Sequence, residues 1–179
     1  MAYTLQQLSD LEDIRTVKHR YFRGIDMADM ALLETLFTPD VFVEYNGGGY
    51  RVQLQGKANM LEFIANSFPE TALAMHHGHM PDITLTGPDT AEAIWYLEDM
   101  FIDLELGKHT QGTALYRDHY VRCDDGWKIA RTIYERVIEI VYPINPAGEI
   151  TAHYLARHGR KLADRTDMSH MLKWGEPGA

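Results

Sequence analysis

Leu8, Leu11, Ile14, Val17 or Lys18, Tyr21 and Ile25 recur at steps of three and four residues. That spacing gathers them on one face and predicts a helix from Thr4 to Ala28. Asp29 is placed to cap a second helix, Met30 to Phe37, which Thr38-Pro39-Asp40 ends. Val41 to Tyr45 alternates apolar and polar residues, as a half-buried strand does. Asn46-Gly47-Gly48-Gly49 reads as a turn, with Tyr50 to Gln55 as the returning strand. Gly56-Lys57 opens a third helix, Ala58 to Phe68, and Pro69 stops it.

The pattern then changes from helical to extended. Thr71 to Thr86, Thr90 to Leu106, Thr110 to Cys123 and Trp127 to Val141 read as four long strands. Gly87-Pro88-Asp89, Gly107-Lys108 and Asp124-Asp125-Gly126 are the turns between them. Helices first and an antiparallel meander afterwards predict an α+β fold. Pro143 and Pro146 close the last strand. Gly148 to Ala163 is expected to form an extra helix, followed by a loose polar tail. The expected division is therefore a domain over residues 1–142 and a C-terminal extension over 143–179.

Composition narrows the partners. A chain of 179 residues buries roughly 70% of its unfolded surface, enough for one real core. The net charge of −9 speaks against nucleic acid and against an anionic membrane surface. No apolar run approaches the ~20 residues that span a bilayer, and the first residues do not read as a signal peptide. Cys123 is the only cysteine, so no internal disulfide forms. A soluble cytoplasmic domain is the expectation.

Three groups of residues carry candidate chemistry. Met75 to Ile83 reads MHHGHMPDI and holds three of the nine histidines. In a regular strand His77 and His79 share a face and His76 points the other way. A bulge at Gly78 would instead bring His76 and His79 together. A metal site needs about three converging ligands, and no HExxH, cysteine pair or obvious further ligand accompanies the cluster. Proton transfer is the favoured reading, with metal-binding and structural readings open. Asp26 ends a long apolar helix face beside Phe22 and Ile25, where a carboxylate needs a partner. It suits the orientation of a histidine. Asp99 and Arg136 interrupt two apolar strands and suit a bidentate ion pair, structural in the simplest reading. The Gly47-Gly48-Gly49 run lacks the G-K-[ST] of a phosphate loop and belongs to the hairpin.

The stretches RYFRGID (20–26), MHHGHMPDITL (75–85), AEAIWYLEDM (91–100) and DDGWKIARTIYERV (124–137) carry a family likeness. Together with the order of elements they resemble the SnoaL-like group of the nuclear transport factor 2-like superfamily. That group includes scytalone dehydratase and bile acid 7α-dehydratase. The resemblance covers roughly Leu5 to Val141. It implies a curved, mixed but mostly antiparallel sheet that forms a cone-shaped cavity with the N-terminal helices. It implies cofactor-free, metal-free lyase chemistry with Asp26, His76 and Tyr21 as catalytic residues. Asp99, Arg136, His79, Tyr45 and Tyr116 become candidate substrate contacts. The implied substrate is a hydrophobic, hydroxylated steroid or aromatic molecule, and the implied assembly is a homo-oligomer, trimeric or dimeric. Carbon–carbon cleavage releasing formaldehyde from a lignin-type aromatic and double-bond isomerisation use the same dyad. Non-catalytic binding of a small molecule is the remaining class.

Overall fold

The computed structural model describes residues 3–174. Helix α1 (Leu5–Asp26) begins with a capping box, in which Thr4 accepts from the Gln7 backbone and Gln7 from the Thr4 backbone. It turns Leu11, Ile14, Val17, Lys18, Tyr21, Phe22 and Ile25 to the interior. Each large apolar side chain covered in this way contributes about 1.5–3 kcal/mol. The helix stops in a Schellman motif: Ala28 adopts φ 49, its N–H bonds to Ile25 O, and Asp29 N–H bonds to Gly24 O. Asp26 is thereby held as the last helical residue. Helix α2 (Met30–Glu34) is one turn, capped by Asp29. It is shorter than its pattern suggests, because Phe37 to Pro39 extend strand β1 (Phe37–Asn46) backwards.

Strand β2 (Tyr50–Gln55) pairs with β1, and α3 (Lys57–Ser67) follows. Four long strands complete the frame: β3 (Ala72–Leu85), β4 (Thr90–Asp103), β5 (Lys108–Cys123) and β6 (Gly126–Pro143). The seven-stranded sheet runs β3-β4-β5-β6-β1-β2-β7, with the short strand β7 (Leu172–Trp174) at one edge. Among the described strands only β1 and β6 pair in parallel; the other strand pairs are antiparallel. The fold is the expected α+β curved sheet.

Alternate residues of the strands face the helices. Ala91, Ala93, Trp95, Leu97 and Asp99 of β4 are buried, and Ala114, Tyr116, Asp118 and Tyr120 of β5 continue the row. Beyond β6 the expected helix Gly148–Ala163 does not form. Only Leu155–His158 makes a helical turn, α4, and Leu162–Asp164 a 3-10 turn. As far as Trp174 the tail is also not loose; the part of that expectation beyond Trp174 lies outside the described residues. Arg160 pairs with Glu62, Thr166 N–H bonds to Asn66 Oδ1 at 2.9 Å, and β7 joins the β2 edge. Met168, Met171 and Leu172 pack on the core, which is what anchors a polar-looking segment. No helix among the described residues is long and apolar enough to cross a membrane.

Candidate active site

Asp26 reaches from the end of α1 to His76 in the middle of β3. Its Oδ1 lies 2.6 Å from His76 Nδ1, and its Oδ2 accepts the His76 backbone N–H at 3.0 Å. One carboxylate thus grips both the ring and the strand that carries it. The negative end of a helix dipole disfavours a carboxylate, and two donors from one residue offset that. An ionised carboxylate only accepts, so the Nδ1 it faces carries the hydrogen; in the neutral ring the lone pair is then on Nε2. Phe22 stacks near the imidazole at 6.3 Å and Phe68 meets it at 5.8 Å, both between ring centroids. The His76 side chain is only 10% exposed.

Gly78 is needed for this approach, though not as a bulge. A Cβ there would stand 2.3 Å from Cε2 of Phe22. The strand irregularity falls later, between His79 and Asp82, where Met80 adopts φ 46. Strand pairing is regular from Ala72 to His79, so His76 and His79 point to opposite faces. His79 stands with His77 on the outer face, 3.6 Å from Glu98. Of the two arrangements open for this stretch, the regular strand forms at Gly78, and His79 does not share the face of His76.

A group of phenols borders the dyad. Tyr21 Oη lies 2.7 Å from Tyr45 Oη, and the Tyr21 and Tyr116 rings meet at 6.0 Å. Tyr134 stands between Tyr45 and Tyr116, and Phe22 links Tyr116 to the His76 ring. Burial pushes Tyr21, Tyr45 and Tyr116 above their ordinary value of 10.0, so they remain hydrogen-bond donors. This has a consequence for stability. In the unfolded chain these phenols ionise near 10, while the folded chain holds their protons. Their stabilising contribution is complete below about pH 10 and is lost as pH rises further. The last part of the phenolate absorbance, from the buried tyrosines, is expected to appear together with the loss of circular dichroism above that pH. All ten tyrosines ionised with the circular dichroism intact would contradict this.

Asp99 and Arg136 do pair, but not across adjacent strands. They lie on β4 and β6, with β5 between. Gly112 of β5 makes the crossing possible, since a Cβ there would stand 3.2 Å from Arg136 Nη1 and 2.1 Å from Ile138 O. Arg136 Nη1 donates to Asp99 Oδ1 and Nη2 to Oδ2, and Nε donates to Glu139 at 2.9 Å. A bulge between Arg136 and Ile138 turns Glu139 to the same side. Burial opposes the guanidinium charge, but the Asp99 hydrogen bonds outweigh it and hold Arg136 above its usual range. His76 and Asp99 are direct cross-strand partners, so this ion pair sits beside the dyad.

One buried network was not singled out by the sequence reading. Lys18 and Asp118 pair at 2.8 Å with both side chains fully covered. Asp118 also accepts from Tyr120 and Thr132, each at 2.7 Å. Lys18 Nζ lies 3.6 Å from the Tyr116 ring centroid, behind the phenols. Burial pushes Lys18 down and Asp118 opposes the shift. The signals were present: Lys18 falls on the apolar stripe of α1, and Asp118 keeps the inward alternation of β5.

The sequence profile of the SnoaL-like domain matches residues 6–133, most of the chain. The chain belongs to the SnoaL-like domain family. Three solved structures illustrate how widely the SnoaL-like frame is shared. The hexachlorocyclohexane dehydrochlorinase LinA-type3 from Novosphingobium barchaimii is 17% identical, with a TM-score of 0.70 over 83% of this chain and 99% of that one. A protein from Novosphingobium aromaticivorans, named provisionally as a scytalone dehydratase, is 18% identical, with a TM-score of 0.68 over 80% and 96%. Another from that species, named provisionally as an aromatic ring hydroxylase, is 22% identical, with a TM-score of 0.68 over 76% and 94%. Identities this low carry the fold; the SnoaL-like site must be read from its own residues.

Proposed function

We propose that this protein is a cofactor-independent lyase that removes water from a hydrophobic, hydroxylated, carbonyl-bearing molecule. The observation that carries the reading is the double contact between Asp26 and His76, 2.6 Å to the ring and 3.0 Å to the backbone. It leaves His76 Nε2 as an oriented base in a water-poor setting. In the proposed reaction Nε2 takes a proton from the carbon next to a carbonyl. The C–H electron pair moves into the enolate, and Tyr21 donates to the developing oxyanion, backed by Tyr45 and Tyr116. The enolate collapses to a carbon–carbon double bond and expels the β-hydroxyl, which takes the proton back from His76. Asp26 stabilises the imidazolium between the two transfers.

Arg136 uses three N–H groups on Asp99 and Glu139, leaving two of its five for a substrate oxygen. Phe22, Phe68 and Phe101 suit an aromatic or steroid skeleton. Two proteins of similar fold carry the names of elimination catalysts, a dehydrochlorinase and a dehydratase, which supports the reaction class.

A mass-spectrometric screen against hydroxylated steroids and lignin-type aromatic alcohols tests the proposal. The expected product is lighter than its substrate by one water. A product lighter by formaldehyde moves the same dyad to carbon–carbon cleavage, and unchanged mass with shifted retention makes it an isomerase. Tight retention of a ligand without turnover makes the protein a binding module.

A further inference from the structure

We propose that His77, His79 and Glu98 form a divalent transition-metal site on the outer face of the sheet. The site is separate from the Asp26–His76 dyad and stands whether or not the lyase reading holds. Strand β3 is an edge of the sheet, and regular pairing sends its alternate residues outward. His77 and His79 are two residues apart and therefore share a side. Glu98 is the direct cross-strand partner of His77 and lies diagonal to His79. His79 Nε2 stands 3.6 Å from Glu98 Oε2. One ligand atom from each of the three residues falls within 4.8 Å of the others. Four-coordinate zinc, with bonds of about 2.0–2.2 Å, separates its ligand atoms by about 3.4 Å. The His79–Glu98 spacing already matches, and the remaining adjustment is a small rotation of exposed side chains.

The donor set selects the ion. Two imidazoles and one carboxylate suit zinc, nickel or copper, whereas magnesium and calcium favour sites built from oxygen. The two rings meet edge to face, 6.1 Å apart at 72°, so neither nitrogen pair is masked by stacking. The His79 and Glu98 side chains are 44% and 53% exposed, so water can complete the coordination. A net charge of −9 favours cation approach. His76 is excluded as a ligand, since it points to the opposite face and is held by Asp26.

The position suggests what the ion does. Regular pairing of β3 with β4 ends at His79 opposite Tyr96, just before the irregularity at Met80. A metal bound there clamps the edge strand to its neighbour at the point where backbone pairing is about to break, one residue from His76.

The test uses tag-free protein stripped with EDTA and titrated with zinc chloride in a calorimeter. One equivalent is expected to bind in the micromolar range. His77→Ala and His79→Ala are each expected to weaken binding by about tenfold or more, and the double variant to abolish it. Zinc is also expected to raise the melting temperature of the wild-type chain but not of the double variant. His76→Ala is expected to leave zinc affinity unchanged. Binding no tighter than millimolar in the wild type overturns the proposal. So does wild-type affinity in the double variant, or affinity lost through His76→Ala instead.

Discussion

Asp26→Asn is expected to lower kcat by about three to four orders of magnitude with the fold intact, by analogy with the aspartate of a serine-protease triad. The geometry explains why so small a change matters. Both Asp26 oxygens accept, one from the His76 ring and one from the His76 backbone. Asparagine offers one acceptor and one donor group, so it cannot satisfy both. If its oxygen stays on the backbone N–H, its NH₂ faces Nδ1 and the ring shifts its hydrogen to Nε2. The base then has no lone pair where the substrate needs one. If its oxygen turns to the ring, two N–H donors confront each other at the strand. The charge that stabilises the imidazolium is lost in either case. Turnover on the substrate found by mass, measured beside a melting curve, checks the prediction. Near-wild-type kcat would remove Asp26 from the mechanism. A collapsed melting temperature would make its role structural.

Lys18→Met is expected to destabilise the fold by about 3–5 kcal/mol, the usual consequence of stranding one member of a buried ion pair. Lys18 and Asp118 are both fully covered, so no solvent screens the charge left behind. The hydroxyls of Tyr120 and Thr132 remain on Asp118, which keeps the loss from growing larger. The pair variant Lys18→Met/Asp118→Asn is expected to recover part of the loss, because it removes the charge along with its partner. Urea unfolding of the two single variants and the double gives the coupling directly. A loss below about 1 kcal/mol in Lys18→Met would show that the ammonium is dispensable.

Much of this site was legible one element at a time. The apolar stripe of α1 predicts which way the helix faces, and Asp26 at its end stands out as a carboxylate among apolar neighbours. Alternation along β4 and β6 marks Asp99 and Arg136 as polar residues within apolar strands. Strand parity alone puts His76 opposite His77 and His79. The glycines were harder. By pattern Gly78 suits either a regular strand or a bulge, but its role is to admit Phe22, a residue fifty-six positions away in sequence. Gly112 attracts no notice until β5 is seen to lie between Asp99 and Arg136. A glycine required by close approach has no local signature, because what it admits comes from elsewhere in the chain.

The C-terminal tail shows the same limit from another side. Gly148 to Ala163 has a composition that suits a helix, yet its residues make contacts elsewhere: His153 with the Ala72 carbonyl, Arg160 with Glu62 and Lys161 with Glu70. Short polar segments fold by what they touch, and propensity is too weak to resist.

The α+β order of elements, the inward faces of α1 and the long strands, and the residue types available for acid–base work can all be read along the chain. These follow from periodicities of 3.6 and 2, which are local. Tertiary structure alone decided that Asp26 takes both the ring and the backbone of His76, that Arg136 reaches Asp99 over Gly112, and that Lys18 meets Asp118. Each of those pairs joins residues tens of positions apart, and a distance of 2.6 Å between such atoms is set by how a helix lies on a curved sheet.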